Sequence, residues 1–153
     1  MANTFSQIHI HVIFTVKNRR SLIQPSWKNE LFKYITGIVQ KQRHKMICIN
    51  GVEDHVHMLI GLRPVQSLSG LMQDVKGDSS KWINKNQLVK GKFSWQEGFG
   101  AFSYSLSQVP IVCRYIERQE SHHKKETMEE EIQNFLNKFE VPFDPKYIMK
   151  NIE

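Results

Sequence analysis

The sequence predicts an α+β fold: a ferredoxin-like βαββαβ antiparallel sheet with helices on one face, followed by additional C-terminal helices. Three observations predict it. Three stretches carry period-two alternation and another, over 45–52, is a short apolar run; helical-period stretches separate the first strand from the second and the third from the fourth. The second and third strands follow each other almost directly, as in an antiparallel hairpin. The first and third each combine an apolar face with a histidine-bearing one, which suits neighbouring central strands covered by helices on one side.

The first strand is expected over about 5–16, where Ile8, Ile10, Val12, Phe14 and Val16 share one face and His9, His11, Ile13 and Thr15 the other. Lys17-Asn18-Arg19-Arg20 ends it with three cations, a candidate phosphate contact or a solvated turn. Pro25 stops anything before it, and Ser26 is the expected N-cap of a helix to about Arg43, with Trp27, Leu31, Tyr34, Ile35, Ile38 and Val39 as its apolar stripe. A second strand is expected over 45–52, with Asn50-Gly51 suggesting a tight reversal, and a third over 55–62. Ser67 caps a helix over about 68–86 in which Leu68, Leu71, Met72, Val75, Trp82 and Ile83 face inward. Gly77 inside it costs about 1 kcal/mol relative to Ala, so a break or a close backbone approach is expected there. Residues 87–98 read as a loop in which Lys90, Lys92, Phe93 and Trp95 interleave cations with rings, either to stack bases or to tuck under the loop.

A fourth strand is expected over 99–106, with Phe102, Tyr104 and Leu106 on one face. Ser107 would cap a helix to about His123, with Pro110 in its first turn, and another amphipathic helix follows over 127–139. The tail from Val141 reads as irregular, with a helical turn through Tyr147 and Ile148. All of this is read as one domain: sheet and first two helices over 5–106, two further helices over 107–139, and a tail over 140–153.

Lys and Arg number 21 against 15 for Asp and Glu, a net charge of +6 that favours a polyanionic partner, nucleic acid before membrane. Cys48 and Cys113 form no CxxC pair and read as reduced core thiols of a cytosolic protein. The N-terminus lacks a signal-peptide pattern and no apolar run reaches the ~18 residues of a membrane span, so a cytoplasmic protein is expected.

The chemistry is expected around Asp54-His55-Val56-His57-Met58-Leu59-Ile60. On a strand, His55 and His57 project to one face roughly 7 Å apart, close enough to grip one metal ion. Such a pair is incomplete, since a catalytic metal wants a third protein ligand and open positions. Tyr115 and Gln119 lie one helical turn apart on one side, so a tyrosine nucleophile and an amide ligand could meet the same ion. His9 and His11 form a second His-x-His, on the neighbouring strand, read as polar residues of an open face, or one of them as support for the first pair or as a DNA contact. Tyr104 is the best rival nucleophile.

His55-Val56-His57 resembles the His-hydrophobic-His motif of the HUH nuclease superfamily, and Tyr115-Ile116-Glu117-Arg118-Gln119 resembles the tyrosine helix of its single-tyrosine transposases, those of single-strand insertion sequences and the related REP-associated enzymes. Further landmarks in the family order are His11-Val12-Ile13-Phe14-Thr15, Val75-Lys76-Gly77-Asp78-Ser79-Ser80, Trp95-Gln96-Glu97-Gly98-Phe99-Gly100 and His122-His123-Lys124. The resemblance spans nearly the whole chain. It implies His55, His57 and Gln119 as ligands of Mg2+ or Mn2+, and Tyr115 as the nucleophile that forms a 5′-phosphotyrosine and frees a 3′-OH. It implies single-stranded DNA hairpins at element ends as substrate. It also implies a homodimer in which the tyrosine helix of one subunit can complete the other's site. Lys17, Arg19, Arg20, Lys76, Lys92 and Trp95 are the expected DNA contacts. Glu53 and Asp78 depart from the family pattern, where proline and a basic residue are common. A non-catalytic RRM-like nucleic-acid-binding module on the same sheet is the alternative, and it needs exposed aromatics on the central strands.

Overall fold

The computed structural model describes residues 4–122 and 127–141, with the side chains of Ser121 and His122 outside that description. The expectations for His122, His123, Lys124 and the tail through Tyr147 and Ile148 fall outside the described residues. The order is β1 (His9–Thr15), α1 (Pro25–Lys41), β2 (Lys45–Val52), β3 (His55–Gly61), α2 (Leu68–Lys85), β4 (Gly100–Tyr104), α3 (Val109–Glu117), α4 (Gln119–His122) and α5 (Met128–Lys138). The strands form one sheet in the order β2-β3-β1-β4, with every neighbouring pair antiparallel. This is the expected ferredoxin-like α+β arrangement, with β1 and β3 at the centre.

The period-two alternation decides which side chains meet which helices. Val12 and Phe14 of β1, with Val56, Met58 and Ile60 of β3, face α1 and α2. Leu31, Ile35 and Val39 from α1 and Leu71, Met72, Val75 and Ile83 from α2 fill the space between. Each such side chain contributes about 1.5–3 kcal/mol on full burial.

The opposite face, expected to be open, is roofed. Leu59 packs under Val112 and Ile116 of α3, and Phe135 and Phe139 of α5 stack on Phe102 with centroids 5.2 and 5.1 Å apart. The cause is the apolar side of α3: with α1 and α2 on one face, the other is where it can be buried. Cys48 and Cys113 meet in this roof layer as half-buried free thiols with their sulfurs 2.6 Å apart, rather than as separate core residues.

Several boundaries differ from expectation, each for a local reason. β1 and β4 are shorter than their alternating stretches. Pro25 opens α1 at its first turn, after Gln24, instead of stopping the chain before Ser26. Ser67 caps α2 as expected, accepting from the Gly70 amide. Ser105, not Ser107, makes the cap that leads into α3, through a capping box with Gln108 around a 3-10 turn. The tyrosine helix is interrupted at Arg118, because the Asn50 side-chain amide donates to the carbonyls of Ile116 (3.0 Å) and Glu117 (3.1 Å) and caps α3 there. Gly77 lies in an unbroken α2, and an added Cβ would meet nothing within 4 Å.

The hairpin reverses at Glu53-Asp54, not at Asn50-Gly51, which stays within β2. Gly51 serves a close approach instead: a Cβ there would lie 2.5 Å from the His55 carbonyl oxygen and 3.1 Å from the Val56 Cα. Gly51→Ala is therefore expected to destabilise the chain by about 1–3 kcal/mol, the usual range for overpacking. An unchanged urea midpoint would show that β2 and β3 can spread at no cost.

Candidate metal centre and tyrosine site

β3 carries His55 and His57 onto the roofed face, where neither side chain is exposed. Each ring has its Nδ1 engaged: His55 with Asp54 Oδ1 at 2.7 Å and His57 with His11 Nε2 at 2.8 Å. Both Nε2 atoms are left to converge on Glu131 of α5, whose Oε1 lies 3.5 Å from His55 and 3.1 Å from His57. Glu131 Oε2 accepts from Gln119 Nε2 at 3.3 Å. Gln119 is itself buried, and its Oε1 has no hydrogen-bond partner among the described residues.

Three expected ligands thus meet, joined by Glu131, which sequence reasoning missed. Glu129-Glu130-Glu131 reads as acids complementing the helix N-terminus. A finer signal existed: Glu131 sits three residues after Met128 and four before Phe135, on the apolar stripe of α5, where a lone acid wants a partner.

The donor set fits a divalent ion. The ligand atoms of His55, His57 and Glu131 lie within 4.8 Å of one another. The unpartnered amide oxygen of Gln119 supplies a fourth donor. Two imidazoles with carboxylate and carbonyl oxygens suit Mn2+, and the oxygens suit Mg2+.

In the metal-free cluster, burial opposes charge on His55, but Asp54 and Glu131 outweigh it and hold the imidazolium up to about 9. Burial likewise opposes the Glu131 carboxylate, but His55 and His57 outweigh it and hold it down to about 2. The signs set a stability window. The raised His55 contributes fully below 6.5 and loses its contribution as pH rises through about 9. The depressed Glu131 contributes above 4.5 and loses it as pH falls toward 2. The metal-free melting temperature is expected to fall by several degrees between pH 6.5 and 9, while Mn2+ affinity rises over the same interval because the ion competes with the His55 proton. A flat melting profile across that interval would mean that His55 is not charged.

Tyr115, on α3, lies half-buried beside this cluster, its ring 5.9 Å from His57 and 5.7 Å from Phe135. Tyr104 shares the face from β4, 6.2 Å from His11 and edge-on to Phe139 at 5.4 Å. Burial pushes its hydroxyl up to about 12, which disfavours it as a nucleophile.

The expected DNA contacts separate into two groups. Lys17, Arg20 and Lys92 are exposed, and Arg19 is partly exposed and pairs with Glu129. Trp95 is instead buried: its Nε1 donates to Ser79 Oγ at 2.9 Å and its ring packs against Phe14 and Phe93. It offers no face to a base without unpacking the core. Lys76 donates to the Gln96 and Gly98 carbonyls and clamps the loop before β4. A cleft of about 810 Å³, bordered by Arg19, Lys28, Asp54 and Glu120, opens next to the Asp54–His55 pair.

A model of the family described as "Transposase IS200 like" matches residues 4–119, which leaves α5 and Glu131 outside the match. The chain is 25% identical over 125 residues to the ISDra2 transposase TnpA of Deinococcus radiodurans, covering 78% of this chain and 87% of that protein. A solved structure described as a putative transposase from Deinococcus radiodurans R1 superposes with a TM-score of 0.63 at 18% identity, covering 78% of this chain and 95% of the other. A REP-associated tyrosine transposase bound to a REP hairpin gives a TM-score of 0.61 at 13% identity, covering 80% and 73%. These two likenesses are of fold. Among the described residues, no helix is long and apolar enough to cross a membrane.

Proposed function

Because the chain belongs to the family of IS200-like transposases, we propose that it cuts and rejoins single-stranded DNA at insertion-sequence ends through a 5′-phosphotyrosine on Tyr115. The observation that carries this reading is the meeting of Tyr115 with His57, at 5.9 Å between rings, beside a buried cluster of His55, Gln119 and Glu131. Strand, tyrosine helix and C-terminal helix each contribute to it.

A Mg2+ or Mn2+ ion held by His55, His57, Gln119 and Glu131 would polarise the scissile phosphate and stabilise its developing charge. Tyr115 supplies the nucleophile. Its Oη forms a bond to phosphorus as the bond from phosphorus to O3′ breaks, and the phenolic proton ends on the departing 3′ oxygen. The 5′ side stays on Tyr115, and a 3′-OH from another end reverses the exchange. One phosphodiester is traded for another, so no nucleotide triphosphate is consumed. Exposed Lys17, Arg20 and Lys92 meet the backbone phosphates, with Arg19 and Lys28 along the cleft beside Asp54. A DNA hairpin as partner is supported by the hairpin-bound relative. The reading extends to a homodimer, although Tyr115 already lies beside the His57 of its own chain, so a complete site does not require exchange of α3.

The RRM-like alternative needs exposed aromatics on the central strands, whereas β1 and β3 carry the buried histidines His11, His55 and His57 on that face.

The test is a denaturing gel of the protein mixed with labelled single-stranded DNA from the flanks of its own gene. A shifted band that needs Mg2+ or Mn2+ is expected. Tight hairpin binding with no covalent band from either flank would reduce the chain to a binding module.

A further inference from the structure

His57 can bind a metal through Nε2 only in the tautomer that keeps its proton on Nδ1. That proton needs an acceptor in a buried setting. For His55, Asp54 provides it. For His57 the group in place is His11, from the second His-x-His of the sequence, which the proposed reaction leaves without a task.

The sheet puts it there. Antiparallel pairing sets His11 opposite Leu59 and Ile13 opposite His57, so His11 and His57 are diagonal neighbours on the roofed face. His11 Nε2 lies 2.8 Å from His57 Nδ1, and the rings are stacked with centroids 5.0 Å apart at 28°. His11 is fully buried, wedged edge-on against Phe135 at 5.3 Å and against Tyr115 at 6.3 Å. A neutral imidazole has one ring nitrogen free to accept. If His11 accepts at Nε2, its own proton sits on Nδ1, which is buried without a partner among the described residues. Such an N–H is tolerated only where something else requires it.

We infer that His11 is a positioning residue: it accepts the hydrogen bond from His57 Nδ1–H and so holds the Nε2 lone pair of His57 toward the metal centre. The inference rests on the metal reading of the proposed function. It gives His11 the part that Asp54 plays for His55, with a neutral acceptor in place of a carboxylate.

The experiment is Mn2+ titration calorimetry of the full chain, comparing wild type with His57→Ala, His11→Leu and His11→Gln. Wild type binds, and His57→Ala loses the site. His11→Leu weakens binding about 10–100-fold, the range for removing such an outer partner. His11→Gln stays within a few-fold, because its amide oxygen can accept from Nδ1–H. Imidazole ¹⁵N–¹H correlation spectra of the Mg2+-loaded chain give a second readout: His57 is protonated at Nδ1 in wild type and in His11→Gln. That readout serves even if His11→Leu does not fold. Equal Mn2+ affinity in wild type and His11→Leu overturns the inference. So does equal weakening in His11→Leu and His11→Gln, or a His57 protonated at Nε2 in the loaded chain. A wild-type chain that binds no Mn2+ overturns the metal reading itself, and the inference falls with it.

Discussion

Tyr115→Phe abolishes the covalent protein–DNA adduct while leaving the fold and the affinity for DNA in place. The substitution removes one oxygen from a ring that packs against His57, His11 and Phe135 through its carbon skeleton. Packing is kept, so the melting temperature moves little. The proposed nucleophile is gone, and the rival on this face, Tyr104, has a hydroxyl that burial pushes up to about 12. Adduct yield is therefore expected to fall by at least about 10³-fold, in line with the loss of a sole nucleophile elsewhere. Tyr104→Phe is the control. Its hydroxyl is raised to about 12 by burial, so it has little role to lose. An adduct that survives Tyr115→Phe and vanishes in Tyr104→Phe would move the nucleophile to β4 while keeping the reaction class.

Glu131→Ala is expected to act on metal affinity and on metal-free stability together. Glu131 is buried against two imidazoles and accepts from Gln119. Removing one partner of a buried charged cluster costs about 3–5 kcal/mol, softened here where the histidines can shed protons. Chemical denaturation without metal reads that part. Mn2+ affinity should drop at least tenfold, because among the described residues the Glu131 carboxylate is the anionic ligand near both Nε2 atoms. Unchanged affinity would mean that His55, His57 and Gln119 suffice and that Glu131 only balances the histidines. Higher affinity would make Glu131 a plug that the ion has to displace.

Much of this architecture was legible in local pattern. Period-two alternation marked β1, β3 and β4 and put His55 and His57 on one face, while a short apolar run marked β2. Helical spacing found α1, α2 and α5. Composition alone could not see that α3 would turn its apolar side to the histidine face, because amphipathicity says that a face is buried and not against what. The interruption at Arg118 was equally hidden, since its cause is Asn50, a residue of β2 far away in the chain.

The sequence by itself determined the order and type of most elements and the shared face of the two histidines, but not the break at Arg118 that puts Tyr115 on α3 and Gln119 on α4. Those follow from backbone periodicity, which is local. Only the tertiary structure showed that Trp95 packs in the core and that Lys76 clamps the loop before β4. It alone brought Glu131 to the histidines and set His11 behind His57. Burial and partner choice depend on which surfaces meet, and residues 46 and 74 positions away from His57 become its neighbours only when the sheet pairs and the roof closes.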